Sequence, residues 1–155
     1  MVTLRPMTEA EYQAFLEPSI REYAEDHVKD GEWSEEEALE KSRKEFYDLL
    51  PQGLETPNHY LFTIVNEEQQ NVGMIWFMLH KRQGKLAAFI YDVKVDEPFR
   101  RRGYASQAFR ELEHKVREFG GSKIALHVFG HNHGAIQLYT KLGYGVTNLH
   151  MAKDI

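Results

Sequence analysis

The chain has 155 residues, a formal net charge of −5 and no cysteine. That length suits one domain, expected to run from 1 to 155, with a real hydrophobic core. The acidic balance argues against general nucleic-acid binding, and the lack of thiols excludes disulfides, thiolate metal sites and a cysteine acyl-enzyme. No apolar run is long enough to span a membrane, and the first residues, Met1 to Pro6, carry no signal-peptide pattern, so a cytoplasmic location is the default expectation.

Thr3 to Met7 reads as a first strand. Thr8-x-x-Glu11 is a capping box that opens a helix with Tyr12, Phe15 and Leu16 turned inward. Pro18 is expected to kink or restart that helix. Ile20, Tyr23 and Val28 continue its apolar stripe until Asp30-Gly31. Ser34-x-x-Glu37 is a second capping box, and Ala38, Leu39, Phe46, Leu49 and Leu50 supply the buried side of the next helix. Pro51, Gly53 and Pro57 mark a loop. Strands are predicted at Tyr60–Val65, Val72–His80 and Leu86–Val95, joined by short polar turns that favour an antiparallel meander.

The third of these strands runs into Asp96-Glu97-Pro98-Phe99-Arg100-Arg101-Arg102-Gly103, and a helix follows. Apolar residues at Ala105, Ala108, Phe109, Leu112, Val116 and Phe119 fall at helical spacing, and Gly120-Gly121 stops them. A tight basic loop opening a helix aims free backbone amides and a positive helix end at one spot, which suits a phosphate or pyrophosphate. The same residues would also serve as a solvated loop. The spacing is neither the GxGxxG dinucleotide fingerprint nor the GxxxxGK[ST] phosphate loop. A strand at Lys123–Phe129, a helix at about 133–142 and a terminal strand at about Tyr144–Ala152 complete the chain. The order of elements predicts an α+β fold, a mixed and mostly antiparallel sheet with helices on both faces.

Arg100-x-x-Gly103-x-Ala105 resembles the Arg/Gln-x-x-Gly-x-Gly/Ala signature of the GNAT superfamily of acyl-CoA-dependent N-acyltransferases. Asn132-His133-Gly134-Ala135-Ile136-Gln137-Leu138-Tyr139-Thr140-Lys141-Leu142-Gly143-Tyr144 resembles that family's Asn-x-x-Ala-x-x-x-Tyr-x-x-x-Gly-Phe element, in the expected order and at the expected separation. The resemblance implies a GNAT-like fold, acetyl-CoA as co-substrate and direct transfer to an amine in a ternary complex. It implies that Arg100, Arg101, Arg102, Gly103, Tyr104, Ala105 and Ser106 hold the coenzyme pyrophosphate. Val93, Lys94 and Val95 would pair with the pantetheine arm in a gap where this strand splays from the next. Asn132 would contact the arm or cap the following helix. Ala105 stands where the family often has glycine, and Tyr144 where it has phenylalanine. Homodimers are common in the family, but no segment of this sequence marks an interface.

Acyl transfer from a thioester needs a donor for the carbonyl oxygen, a base for the amine and an acid for the thiolate. An amide near Val93 or Lys94 suits the first need. By its neighbours Leu138 and Leu142 alone Tyr139 would read as a core aromatic; the resemblance implies instead that it is the acid. Two residues compete for the base. His127 stands where some family members carry a glutamate, and it is also readable as a structural histidine. Asp92 lies among Phe89, Ile90, Tyr91 and Val93, where alternation puts it on the face opposite Tyr91 and Val93.

His127, His131 and His133 invite a metal reading, but no carboxylate follows at ligand spacing and the implied chemistry needs no metal. Residues 17–46 hold 11 acidic and 5 basic side chains, a local net of −6. They are either a solvated helical face or an acidic wall that attracts a cationic amine, such as a polyamine, an aminoglycoside, lysine or a protein N-terminus. Trp33, Tyr60, Trp76 and Tyr91 line a pocket or fill the core. Two other functions compete: a non-catalytic acyl-CoA-binding or sensing domain, and an RNA-contacting protein that uses Arg100 to Arg102. The sequence does not give the acceptor, and it does not separate acetyl from propionyl or succinyl donors.

Overall fold

The computed structural model describes all residues, 1–155. Five strands form one sheet in the order β1 (Thr3–Pro6), β2 (His59–Val65), β3 (Asn71–Arg82), β4 (Lys85–Val95) and β5 (Lys123–Leu126). The first four pair antiparallel and β5 lies parallel to β4. β3 turns into β4 through Gln83-Gly84, both at positive φ (54° and 77°), the two-residue turn whose twist matches a hairpin. A parallel neighbour needs a crossover, and α3 (Tyr104–Glu118) supplies it.

Each face of the sheet has its own core. On one side α3 buries Ala108, Phe109, Leu112 and Val116 against Phe62, Ile64, Ile75 and Phe77. On the other, α1 (Glu9–Lys29) and α2 (Glu35–Leu49) bury Tyr12, Phe15, Ile20 and Phe46 against Leu61, Met74 and Trp76. α4 (His133–Lys141) follows β5. Tyr60 and Trp76 therefore belong to the cores. No helix is long and apolar enough to cross a membrane.

Both capping boxes form, at Thr8/Glu11 and Ser34/Glu37. Pro18, by contrast, neither ends nor restarts its helix, because α1 runs unbroken through it. Proline forfeits one hydrogen bond to the preceding turn, and the apolar side chains that α1 buries on both sides of Pro18 outweigh that loss. The predicted strand at Lys123–Phe129 stops at Leu126, where its partner β4 bends away. The terminal strand predicted at Tyr144–Ala152 does not form. Residues 145–155 make no backbone hydrogen bond and all are exposed. A strand exists only where another edge pairs with it, and this segment leaves its own sheet.

One carboxylate ties the start of α1 to the sheet. Glu11 accepts two hydrogen bonds from Arg5 (3.1 and 2.8 Å), one from Thr63 Oγ1 (3.0 Å), one from Asn71 Nδ2 (2.8 Å) and one from the Thr8 amide (2.8 Å). The Arg5 contact, helped by Thr8 and Thr63, holds its carboxyl at about 2 against the drag of burial. The folded-state value lies below the ordinary 4.5, so this network stabilises fully above that pH and is lost as pH falls toward 2. Glu11→Gln should lower the urea midpoint clearly at pH 7 and much less at pH 3. An equal loss at both values would contradict the network.

Candidate active site

The site begins with an irregularity in β4. Leu86, Ala88 and Ile90 pack toward α3, and so do Val93 and Val95, so the alternation slips by one residue between Ile90 and Val93. Trp76 of β3 faces Asp92 while its neighbour Phe77 faces Ile90, which leaves Tyr91 as the extra residue of a β-bulge. Tyr91 stacks on Trp76 at 4.8 Å and lies against His59 at 5.7 Å, on the α1 side. Asp92 follows it toward α1, on the same face as Lys94, whose Nζ donates to Glu22 of α1 at 2.6 Å. The expectation that Asp92 lies opposite Tyr91 is therefore corrected by the bulge, while its opposition to Val93 holds.

The parallel pairing of β4 and β5 ends at Ile90/Leu126. Beyond it the strands part, and Tyr91 to Val95 of β4 have no strand on that side. The end of β4 is held from its other edge: a Cβ at Gly73 of β3 would collide with the Lys94 carbonyl oxygen, so only glycine lets the strands approach this closely. Val95 O accepts from Arg100 Nε at 2.8 Å, which folds the first arginine back onto the strand.

Past β4 the chain forms a cradle of amides. Arg101 has φ +64° and Gly103 φ +81°. The start of α3 has no side-chain cap and no acidic residue in its first turn, unlike α1 and α2. No amide from Arg101 through Ser106 donates to a backbone carbonyl. Left-handed residues beside an uncapped helix start form a concave array of N–H groups suited to a pyrophosphate. Arg101 and Arg102 are exposed, Arg102 lying over the Phe99 ring at 5.8 Å. The Tyr104 side chain is buried and its hydroxyl accepts from Asn66 Nδ2 at 3.3 Å, so only its backbone faces the cradle. Ala105 and Ser106 are half-buried.

The far wall comes from the loop after β5 and from α4. Asn132 caps α4, its Oδ1 accepting from the Ala135 amide at 3.4 Å. The half-buried Tyr139 ring meets Phe109 edge-on at 5.6 Å. Burial, and then the nearby charge of Asp92, raise its phenol above the usual range. His127 is exposed, its ring edge-on to Phe129 at 4.9 Å. His131 Nε2 lies 3.1 Å from Asp26 of α1. No three His, Asp or Glu side chains are grouped closely enough to hold a metal ion, so His127, His131 and His133 do not converge.

Within the acidic stretch 17–46, the sequence did not single out the residues of α1 that reach this site. Glu22 and Asp26 sit four apart, on one helical face that turns toward Asp92. Between them and the loop stands an aromatic wall: His27 stacks on Trp33 at 3.9 Å and meets Tyr23 at 4.4 Å and Phe129 at 5.0 Å. His27 is buried, with Nδ1 3.1 Å from Glu32 and Nε2 without a partner. The signal in the sequence was the repeat Glu22-Tyr23 and Asp26-His27, an acid followed by a ring at i and i+4.

The profile of the Acetyltransferase (GNAT) family matches residues 19–144. The chain belongs to the GNAT acetyltransferase family. It is 38% identical over 153 residues to the uncharacterized N-acetyltransferase YdgE of Bacillus subtilis (strain 168), covering 99% of this chain and 98% of that one. It is 40% identical over 154 residues to a second such protein of that organism, YycN, covering 99% of each. The crystal structure of YycN superposes with a TM-score of 0.95 at 39% identity, covering 100% of this chain and 99% of the other. The five-stranded mixed sheet flanked by helices is thus the GNAT acyl-CoA N-acyltransferase fold.

In this candidate site the Asp92 carboxyl is pushed up to about 6, chiefly by burial and then by Glu22, with Asp26 adding and Lys94 opposing. Carboxyl-detected NMR should therefore find an Asp92 midpoint near 6, and Glu22→Gln should move it down. A midpoint near the ordinary carboxylate value of about 4 would show that the carboxyl is solvated instead.

Proposed function

We propose that residues 1–155 form a single N-acetyltransferase domain that moves an acetyl group from acetyl-CoA to a primary amine by direct attack in a ternary complex. The observation that carries this reading is the position of Asp92. A carboxyl poised at about 6 stands where β4 and β5 part, between the acidic face of α1 and Tyr139. The amides from Arg101 to Ser106, with Arg101 and Arg102, would hold the pyrophosphate. The free edge at Val93 to Val95 would pair with the pantetheine arm, beside Asn132. Acetyl-CoA supplies the activated acyl group.

The chain's own residues then divide the proton work. Asp92 takes a proton from the incoming ammonium, freeing the lone pair that attacks the thioester carbon. An amide at Val93 or Lys94 donates to the carbonyl oxygen as charge builds there. As the carbon–sulfur bond breaks, the Tyr139 phenol protonates the departing sulfur, and the second proton of the nitrogen restores the phenol. Asp92 suits the base role better than His127, because it is half-buried and close enough to Tyr139 to raise its phenol, whereas His127 is exposed. Glu22, Asp26 and Asp92 favour a cationic amine. The reading carries no metal, membrane or nucleic-acid partner, and it places the work in the cytoplasm.

The test combines binding, turnover and stability. Acetyl-CoA should bind one to one in calorimetry, and Tyr139→Phe should keep that binding while lowering turnover. Asp92→Asn should lower kcat/KM by about a hundredfold or more and abolish the rise of activity through pH 6, which His127→Ala should retain. The folded-state value of Asp92 lies above the ordinary 3.8, so the folded protein loses stability as pH rises from there to about 6. Asp92→Asn should therefore be more stable than the parent at pH 7 and not at pH 3. Unchanged turnover in Asp92→Asn would remove the base. Coenzyme binding without turnover on a broad amine panel would leave an acyl-CoA-binding domain, and no coenzyme binding would sink the reading.

A further inference from the structure

The bulge leaves Tyr91 without a partner in the sheet. Register pairing passes from Phe77/Ile90 to Trp76/Asp92 and skips it, and pairing with β5 ends at Ile90. Side chains hold it instead, in a triangle of rings on the α1 side. Trp76 stacks on Tyr91 at 4.8 Å, His59 lies against it at 5.7 Å, and His59 and Trp76 are 5.9 Å apart.

The chain fixes His59 as it enters β2. Asn58 takes φ +68° and its carbonyl accepts from the Leu79 amide at 2.9 Å, while the His59 amide donates to Thr56 O at 3.3 Å. Leu61 stands opposite Trp76, so His59, two residues earlier, is a diagonal neighbour of Trp76 on the same face. Trp76 Nε1 donates to His59 Nδ1 at 3.0 Å. An indole N–H only donates, so Nδ1 carries no proton and the ring's one proton is on Nε2. Trp76 is buried, and His59 is the one partner of its indole. An imidazolium has a proton on both nitrogens and would set one N–H against another, so the bond exists only with neutral histidine. Burial lowers His59 below the ordinary 6.5 and favours that form. No charged group acts on His59; the titratable group against it is the Tyr91 phenol, itself raised by burial.

We propose that His59 is a positioning residue: by accepting the Trp76 indole proton it locks the ring triangle that holds the Tyr91 bulge, and so keeps Asp92 beside the acidic face of α1. A proton on Nδ1 unlocks the triangle. Trp76 loses its acceptor, Tyr91 loses the surface it stacks on, and the neighbouring carboxyl is free to turn toward water. His59 touches none of the reacting atoms. Its hold on the bulge is independent of the reaction, whereas its effect on turnover rests on the acetyltransferase reading.

Nuclear magnetic resonance of the intact protein from about pH 8 to about pH 5 tests it. The Trp76 indole N–H resonance, assigned by its persistence in Trp33→Phe, should hold its position at the upper end and shift with a midpoint below 6.5. It should still do so in Asp92→Asn. In His59→Asn, whose side-chain oxygen can take the place of Nδ1, the resonance should stay near its parental position and not move with pH. In His59→Phe, which keeps a ring but no acceptor, it should be displaced at every pH, and the Asp92 midpoint should fall from about 6 toward 3.8. With an accepted amine, kcat should drop about tenfold or more in His59→Phe, with the KM for acetyl-CoA unchanged, and recover in His59→Asn. The titration of the parent needs no variant and decides the hydrogen bond by itself. An indole resonance indifferent to pH in the parent, or an Asp92 midpoint unmoved in His59→Phe, would overturn the positioning role. The expected resonances in a protein that turns over no amine would uphold that role and count against the acetyltransferase reading alone.

Discussion

The single extra residue at Tyr91 is the constraint on which the site depends. Two parallel strands that pair along their whole length leave no free backbone between them. Pairing of β4 and β5 stops at Ile90/Leu126, one residue before the bulge. From there β4 keeps its bonds to β3 on one side and has none on the other. The same slip of phase carries Asp92 to the α1 side while Val93 and Val95 still anchor the strand in the α3 core. One inserted residue thus produces a free strand edge and a carboxylate beside it, at the point where the basic loop begins.

The two sides of the sheet contribute different things. The α3 side supplies fixed geometry: a helix with one fully buried face, whose uncapped first turn cannot shift without disturbing Phe109 and Leu112. The α1 side supplies charge and aromatic surface. Glu22 and Asp26 are held by Lys94 and His131, one from β4 and one from the loop after β5, so the helix is stitched across the gap by pairs that are part-exposed. Such pairs are weak individually and exchange readily. Under the proposed function an incoming ammonium would replace Lys94 or His131 at little cost, whereas the cradle on the other side stays as built.

Much of this was legible in the sequence, and the parts that were not share one cause. Capping boxes, the helix of Ala108 to Val116 and the glycine at Gly103 are local signals, written in a few consecutive residues. The bulge is not: nothing in Ile90-Tyr91-Asp92-Val93 distinguishes an alternating strand from a slipped one until Trp76 and Phe77 are set beside it. Residues 17–46 read as either a solvated helical face or an acidic wall, and nothing singled out Glu22 and Asp26, because their position depends on what α1 crosses. The strand expected at Tyr144–Ala152 has the right composition and period, but composition does not name the edge that receives it. Pro18 misled in the opposite sense, as a local breaker overruled by tertiary packing.

The placement of Asp92 works against the fold. A carboxyl raised to about 6 is an ion that the folded protein would hold more comfortably as a neutral acid, and Glu22 and Asp26 make this worse. Lys94 offsets part of the cost, yet its ammonium is engaged by Glu22 and not by Asp92. A residue serving only structure would relax toward an amide or an apolar side chain of similar size, since nothing in the two cores requires a charge there. Glu11 is the contrast: an equally central carboxylate, satisfied by five donors and held at about 2, where ionisation stabilises the fold. One chain therefore carries both uses of a partly buried acid. Glu11 is fully bonded and inert toward protons at neutral pH, while Asp92 is left short of donors and poised to exchange one.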